Sequence, residues 1–156
     1  MKKIDVASLP ERRGSAYPAP FDEPCRGRGR RALGNAAGLS HFGVNLLTLE
    51  PGAWSSQRHW HTAEDEFVYV LEGEVVLVTD AGEEVLRPGE CAGFKAGDAD
   101  GHHLINRSDR PARLLEVGTR TEDGVDAVDY PDIDMVIPLG AHDYYHRDGT
   151  PYPPQE

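Results

Sequence analysis

The sequence predicts an all-β domain, a barrel or sandwich of short strands flanked by irregular arms. Three observations carry this. From Val44 onward the chain divides into runs of about four to eight residues rich in Val, Leu and aromatics. Each run closes on Gly, Pro, Asp or Asn, the residues that set tight turns. No stretch of useful length repeats its apolar positions at the period of a helix. A chain of 156 residues holds one domain with a real core and is too short for two well-packed ones.

Residues 1–41 carry Pro10, Pro18, Pro20 and Pro24 with several glycines, which forbids a long regular element and predicts an irregular arm. Within it, CRGRGRR spans 25–31. Its GxG, Gly27 and Gly29, follows no predicted strand and opens no helix, so nothing supports a dinucleotide loop. The expectation is a solvated or partner-facing segment.

The core is expected over 42–120, in the runs VNLLTLEPG, WSSQRHWH, EFVYVLEG, EVVLVTDAGEEVLRPG, ECAGF, HHLIN and ARLLEVG. Asp80-Ala81-Gly82 and Arg87-Pro88-Gly89 read as turns between strands. Residues 121–156 are acidic and rich in Pro and Gly, a poor composition for an interior strand. That arm is expected to lie over the barrel or over a neighbouring subunit.

Charge and composition narrow the function. A net charge of −11 repels phosphate backbones and anionic membranes, so neither nucleic acid nor a membrane is an expected partner. No apolar run approaches the roughly 20 residues that span a bilayer. The start, MKKIDVASLPERRG, lacks the apolar stretch of a secretory signal, so the expected address is the cytoplasm. Cys25 and Cys91 form no CxxC pair and read as free thiols.

The chemistry concentrates in QRHWHTAEDE, residues 57–66. Strand side chains alternate, so His59 and His61 share a face that Trp60 does not. In the next run Glu66 is in phase with Val68 and Val70. If those valines face the core, Glu66 is an inward carboxylate, which is costly unless it is paired or bound to metal. GHHLIN offers a further imidazole, with His102, Leu104 and Asn106 on one face and His103 and Ile105 on the other. Alternation alone leaves the choice between His102 and His103 open. Carried backwards, it puts Ser55 and Gln57 in phase with the two histidines as substrate-binding candidates, and Arg58 out of phase. His142 and His146 form an HxxxH pair, but LGAHDYYHRDG has little helix propensity and reads as plain tail. His41 reads as a hydrogen-bonded or solvent-facing residue.

Taken together these motifs resemble the cupin family. The first cupin motif is matched by Gly52, His59-Trp60-His61, Glu66 and Gly73, with six residues instead of the usual five between Gly52 and His59. The second is matched by Gly89, Gly97, His102 and Asn106. It departs in having Lys95 where proline is usual and four residues, not two, between Gly97 and His102. The His-to-Asn spacing of the family selects His102 over His103, which then reads as a hydrogen-bonded or solvent-facing residue. The resemblance covers roughly residues 42–118. It implies an antiparallel jelly-roll barrel with one divalent ion held by His59, His61, Glu66 and His102. Imidazole nitrogen with one carboxylate suits Mn, Fe, Ni, Co or Zn, whereas calcium and magnesium prefer oxygen donors.

Such an ion serves as a Lewis acid or activates water or dioxygen. Three functions fit: a sugar or sugar-phosphate isomerase, as bacterial single-domain cupins of this appearance are provisionally labelled; a metal-dependent oxygenase; or a small-molecule binding or sensing module without turnover. Spare proton-transfer groups are few, namely Glu64, Asp65, His103 and a tyrosine of the tail. A phosphate-bearing ligand needs cations at the mouth, which Lys95, Arg107 or Arg110 are placed to supply. A homodimer is expected, covering an apolar sheet face with the Pro-rich ends reaching across.

Overall fold

The computed structural model describes residues 3–122 and 125–153. Its strands are β1 (Arg12–Arg13), β2 (Arg28–Ala32), β3 (Phe42–Leu49), β4 (Trp60–His61), β5 (Glu66–Glu72), β6 (Val75–Thr79), β7 (Gly82–Leu86), β8 (Cys91–Phe94), β9 (His103–Ile105), β10 (Ala112–Thr119), β11 (Val128–Tyr130) and β12 (Met135–Ile137), with a single helical turn α1 (Leu33–Ala36). They form three sheets, ordered β1-β2-β3-β10-β5-β8, β12-β11-β4 and β7-β6-β9, and every pairing is antiparallel. Among the described residues no helix is long and apolar enough to cross a membrane.

Alternation builds the main sheet. On β5, Val68 and Val70 are buried while Phe67, Tyr69 and Leu71 are exposed. Leu114 of β10 lies opposite Leu47 of β3 and Val70 of β5, so all three enter one core. Val75, Leu77, Leu86 and Leu104 from the β7-β6-β9 sheet close over it. Each such side chain contributes about 1.5–3 kcal/mol by leaving water. The β6–β7 hairpin turns at Asp80-Ala81, with Thr79 opposite Gly82, as the turn chemistry predicts. Gly73, which ends the first motif, has φ of 73°, and a Cβ there would lie 2.8 Å from the Pro111 carbonyl oxygen. Only glycine fits that turn.

Three expectations change. The architecture is mostly β and consistent with a jelly roll, but the ladders do not close into a ring among the described residues. Between residues 53–59 and the β9 region, pairing shrinks to the single bridges Trp54–Ile105 and His59–His102. Side chains take over there: the Leu104 N–H donates to Ser55 Oγ at 2.9 Å.

The N-terminal stretch is not irregular throughout. Its prolines stop at Pro24, and residues 28–32 form β2, which extends the main sheet with Arg28 opposite Leu49 and Ala32 opposite Asn45. The C-terminal stretch also contributes strands, because β11 pairs with both β4 and β12. Tyr17, Cys25, Val128, Tyr130 and Met135 make a second core that joins the two ends of the chain. Cys25 is buried in it and Cys91 is exposed, both as free thiols.

Candidate metal centre

Local structure brings four predicted side chains to one point. His59 sits in an isolated antiparallel bridge with His102, His61 ends β4, and Glu66 opens β5. Glu66 Oε2 lies 2.9 Å from His102 Nε2, 3.5 Å from His59 Nε2 and 3.7 Å from His61 Nε2. Three ring nitrogens thus face one carboxylate oxygen. His59, His61 and Glu66 present donor atoms within 4.8 Å of one another, the spacing a single ion requires.

The opposite edges of the rings are anchored. His59 Nδ1 lies 2.8 Å from the Gln57 carbonyl, which accepts its proton, so Nε2 is the nitrogen turned to Glu66. His61 Nδ1 lies 2.6 Å from Asp126 Oδ2 in the same sense. Metal-binding histidines are commonly oriented in this way, through the nitrogen that does not ligate. His102 is held by packing instead: the Phe94 ring stacks flat on it with centroids 3.5 Å apart, and its Nδ1 has no partner among the described residues.

Electrostatics agree with the geometry. Burial alone would raise the Glu66 carboxyl, but hydrogen bonds from His102 and His59 and the neighbouring imidazoles outweigh it and hold it well below the usual carboxylate range. Burial works against a charged His59, yet Glu66 reverses that and raises it. In His102, burial wins over Glu66 and the ring is pushed down. An ionised carboxylate beside three imidazole nitrogens, whose Nε2 protons an ion would displace, is a fitting donor set for a borderline transition ion.

The cluster opens on a cavity of about 450 Å³, within the range of small-molecule sites. Ser55 lines this cavity, although its hydroxyl is engaged with Ser56 and the Leu104 N–H. Gln57 is in phase with the histidines but turned away, because its buried amide donates to the Phe21 carbonyl at 2.7 Å. His103 is separate from the cluster. Its Nδ1 lies 3.0 Å from the Ser56 carbonyl, and Trp54 packs edge-on against the ring. Arg58 points away, as its phase predicts, and clamps Asp132 with two 2.7 Å bonds while also reaching Asp80 and the Gly101 carbonyl. His146 bonds Asp134 and stacks on Tyr152, so the HxxxH pair lies in tail structure.

The expected cations fare differently. Arg107 is paired with Glu83 by two 2.6 Å bonds on the surface, and Arg110 is exposed beside Asp109. Lys95 borders a smaller cavity of about 240 Å³ that shares His61, Glu66 and His102 with the larger one. The large cavity takes its arginines from elsewhere: Arg12, Arg28 and Arg30 of the N-terminal strands, and Arg120. The sequence did carry a signal for two of them. Alternating Arg and Gly at 28–30 is period two, and on a strand it sends Arg28 and Arg30 to one face. Asp126 carried none, because it lies in an acidic run where any carboxylate reads as solvated.

A model of the cupin domain matches residues 45–118. No curated protein matches the chain. Among solved structures, a sugar phosphate isomerase from a cupin superfamily of Silicibacter pomeroyi is 47% identical, with 97% of each chain covered and a TM-score of 0.90. A protein from Acidithiobacillus ferrooxidans, provisionally named for the same activity, is 30% identical over 82% of this chain and 81% of its own, with a TM-score of 0.71. The polyketide cyclase RemF from Streptomyces resistomycificus shares the fold at 23% identity and a TM-score of 0.61, covering 76% of this chain and 79% of its own.

Proposed function

Because the chain belongs to the cupin superfamily, we propose that it is a metal-dependent enzyme that isomerises a small hydroxy-carbonyl compound of the sugar type. The observation that carries this is the convergence of three imidazole Nε2 atoms on Glu66 Oε2 at the wall of a metabolite-sized cavity. His59, His61, Glu66 and His102 would hold one Mn, Fe, Ni, Co or Zn ion. When bound, such an ion supplies Lewis acidity toward a carbonyl or hydroxyl oxygen. The names of the two most similar structures described above favour isomerase over oxygenase chemistry.

The rest falls to the chain. Glu64 lines the cavity beside His61, and its Oε1 is fixed by the Thr121 N–H at 3.2 Å and hydroxyl at 2.9 Å. Its Oε2 has no hydrogen-bond partner among the described residues. In this reading Glu64 removes the proton from the carbon bearing the hydroxyl and returns it to the former carbonyl carbon, while the hydroxyl proton passes to the former carbonyl oxygen. Glu116 also borders the cavity, but Arg30 occupies it at 2.8 Å. Asp126 keeps the His61 ring in its orientation through the Nδ1 proton.

The protein is proposed to act as a homodimer, supported by Phe67, Tyr69 and Leu71 standing exposed along the outer face of β5. Light scattering should return twice the 17.1 kDa chain mass.

The test of function is NMR of the metal-loaded protein with aldoses and ketoses in heavy water. Interconversion with deuterium entering the carbon next to the carbonyl supports the reading. Oxygen consumption with substrate, or binding without conversion, contradicts it.

A further inference from the structure

The large cavity is also lined by arginines that the isomerase reading leaves unused. Arg28 is half-buried there, and its guanidinium touches only main-chain oxygens: Nε and Nη2 donate to the Gly14 carbonyl at 3.0 and 2.9 Å, and Nη1 to the Ser55 carbonyl at 2.6 Å. No carboxylate pairs with it among the described residues. A charge withdrawn from water without a counter-charge is costly, so the position lacks an anion. The other arginines of the cavity are engaged. Arg30 pairs with Glu116, while Arg120 donates to the Leu39 carbonyl and to Asn35. Arg12 is exposed at the same cavity, and its side chain makes no hydrogen bond or ion pair among the described residues.

Tyr17 and Tyr144 line the same cavity, with ring centroids 5.5 Å apart. Burial pushes both phenols up, so they stay neutral. All of this stands in a chain whose net charge is −11, so a surplus of guanidinium at one cavity is a local feature and not an average one.

We propose that Arg12 and Arg28, with the Tyr144 hydroxyl, form a subsite for a phosphate monoester on the substrate. This rests on the isomerase reading only for the identity of the rest of the substrate. Two guanidinium groups offer paired donors and nearly two positive charges, which matches the near-dianionic, three-oxygen phosphate better than a carboxylate. The hydroxy-carbonyl group then lies at the histidine cluster and the phosphate at Arg12 and Arg28, which line the same cavity.

The experiment uses inorganic phosphate and the full-length chain stripped of metal, so that no ion competes for the probe. Binding is followed by phosphorus-31 NMR for the wild type, Arg12→Ala and Arg12→Lys, with acetate as competitor. Arg12 is exposed, so its removal leaves the cores intact. The expected result is millimolar binding by the wild type, about tenfold weaker in Arg12→Ala and intermediate in Arg12→Lys, with acetate a poor competitor. Equal affinity in Arg12→Ala, displacement by acetate at matching concentration, or no binding by the wild type overturns the proposal. Failure of the isomerase reading registers separately, as absent aldose–ketose conversion, and leaves the phosphate result standing.

Discussion

His59 and His102 face each other across an isolated antiparallel bridge, each backbone N–H donating to the other's carbonyl, at 3.2 and 2.9 Å, with ring centroids 5.0 Å apart. The bridge fixes the main-chain separation of the two motifs and sends His103 to the opposite side, against Trp54. His102→Ala should therefore lower the affinity for a transition ion by more than the roughly 10–100-fold typical of losing an outer contact, while His103→Ala keeps it. Calorimetric titration of both variants checks this. Loss of uptake in His103→Ala alone contradicts it.

In this account Asp126 would act on an ion through His61, whose Nδ1 it holds. Asp126→Asn should weaken metal affinity about 10–100-fold, because the imidazole loses its charged acceptor and its fixed orientation. Affinity equal to wild type rejects the role.

Arg58 ties the segment next to the histidines to the C-terminal stretch. Its bond to Asp132 holds that carboxyl below its ordinary value, ahead of the opposing effect of burial. Since the folded value is depressed, the stabilisation is present above the unfolded aspartate value of about 3.9 and is lost as pH falls through the folded one. Arg58→Met should cost about 1 kcal/mol at neutral pH, discounted because both acceptor carboxylates are exposed. The gap in thermal midpoint between variant and wild type should hold from about pH 5 to 8 and narrow toward pH 3. A gap unchanged at pH 3 goes against it.

Gly73→Ala forces a side chain into positive φ and against the Pro111 carbonyl. The expected loss is about 1–3 kcal/mol, read as a lower urea midpoint with unchanged slope. An unchanged midpoint shows that the turn between β5 and β6 relaxes.

The sequence makes the central strands legible because their period-two burial is strict, as at Val68 and Val70, and because turns such as Asp80-Ala81 carry their own chemistry. The motif residues are legible because alternation puts His59 and His61 on one face and the His-to-Asn spacing of the family selects His102. Gln57 shows where alternation stops being enough: a residue in phase can still turn away when a main-chain carbonyl, here that of Phe21, captures its amide. Arg28 and Asp126 stand for the rest. Their neighbours in the fold are far away in the chain, Arg28 reaching Ser55 and Asp126 reaching His61, and no local pattern encodes such a meeting. Strands β11 and β12 escape the reading for a related reason, since three residues each are too few for periodicity to register.

The most direct measurement is elemental analysis of the purified chain, wild type beside His59→Ala, His61→Ala, Glu66→Gln and His102→Ala, after exposure to manganese, iron, nickel, cobalt and zinc. The account predicts close to one transition ion per wild-type chain and strong depletion in all four variants. A wild type that takes up no ion at saturation, or variants that retain it fully, contradicts the account.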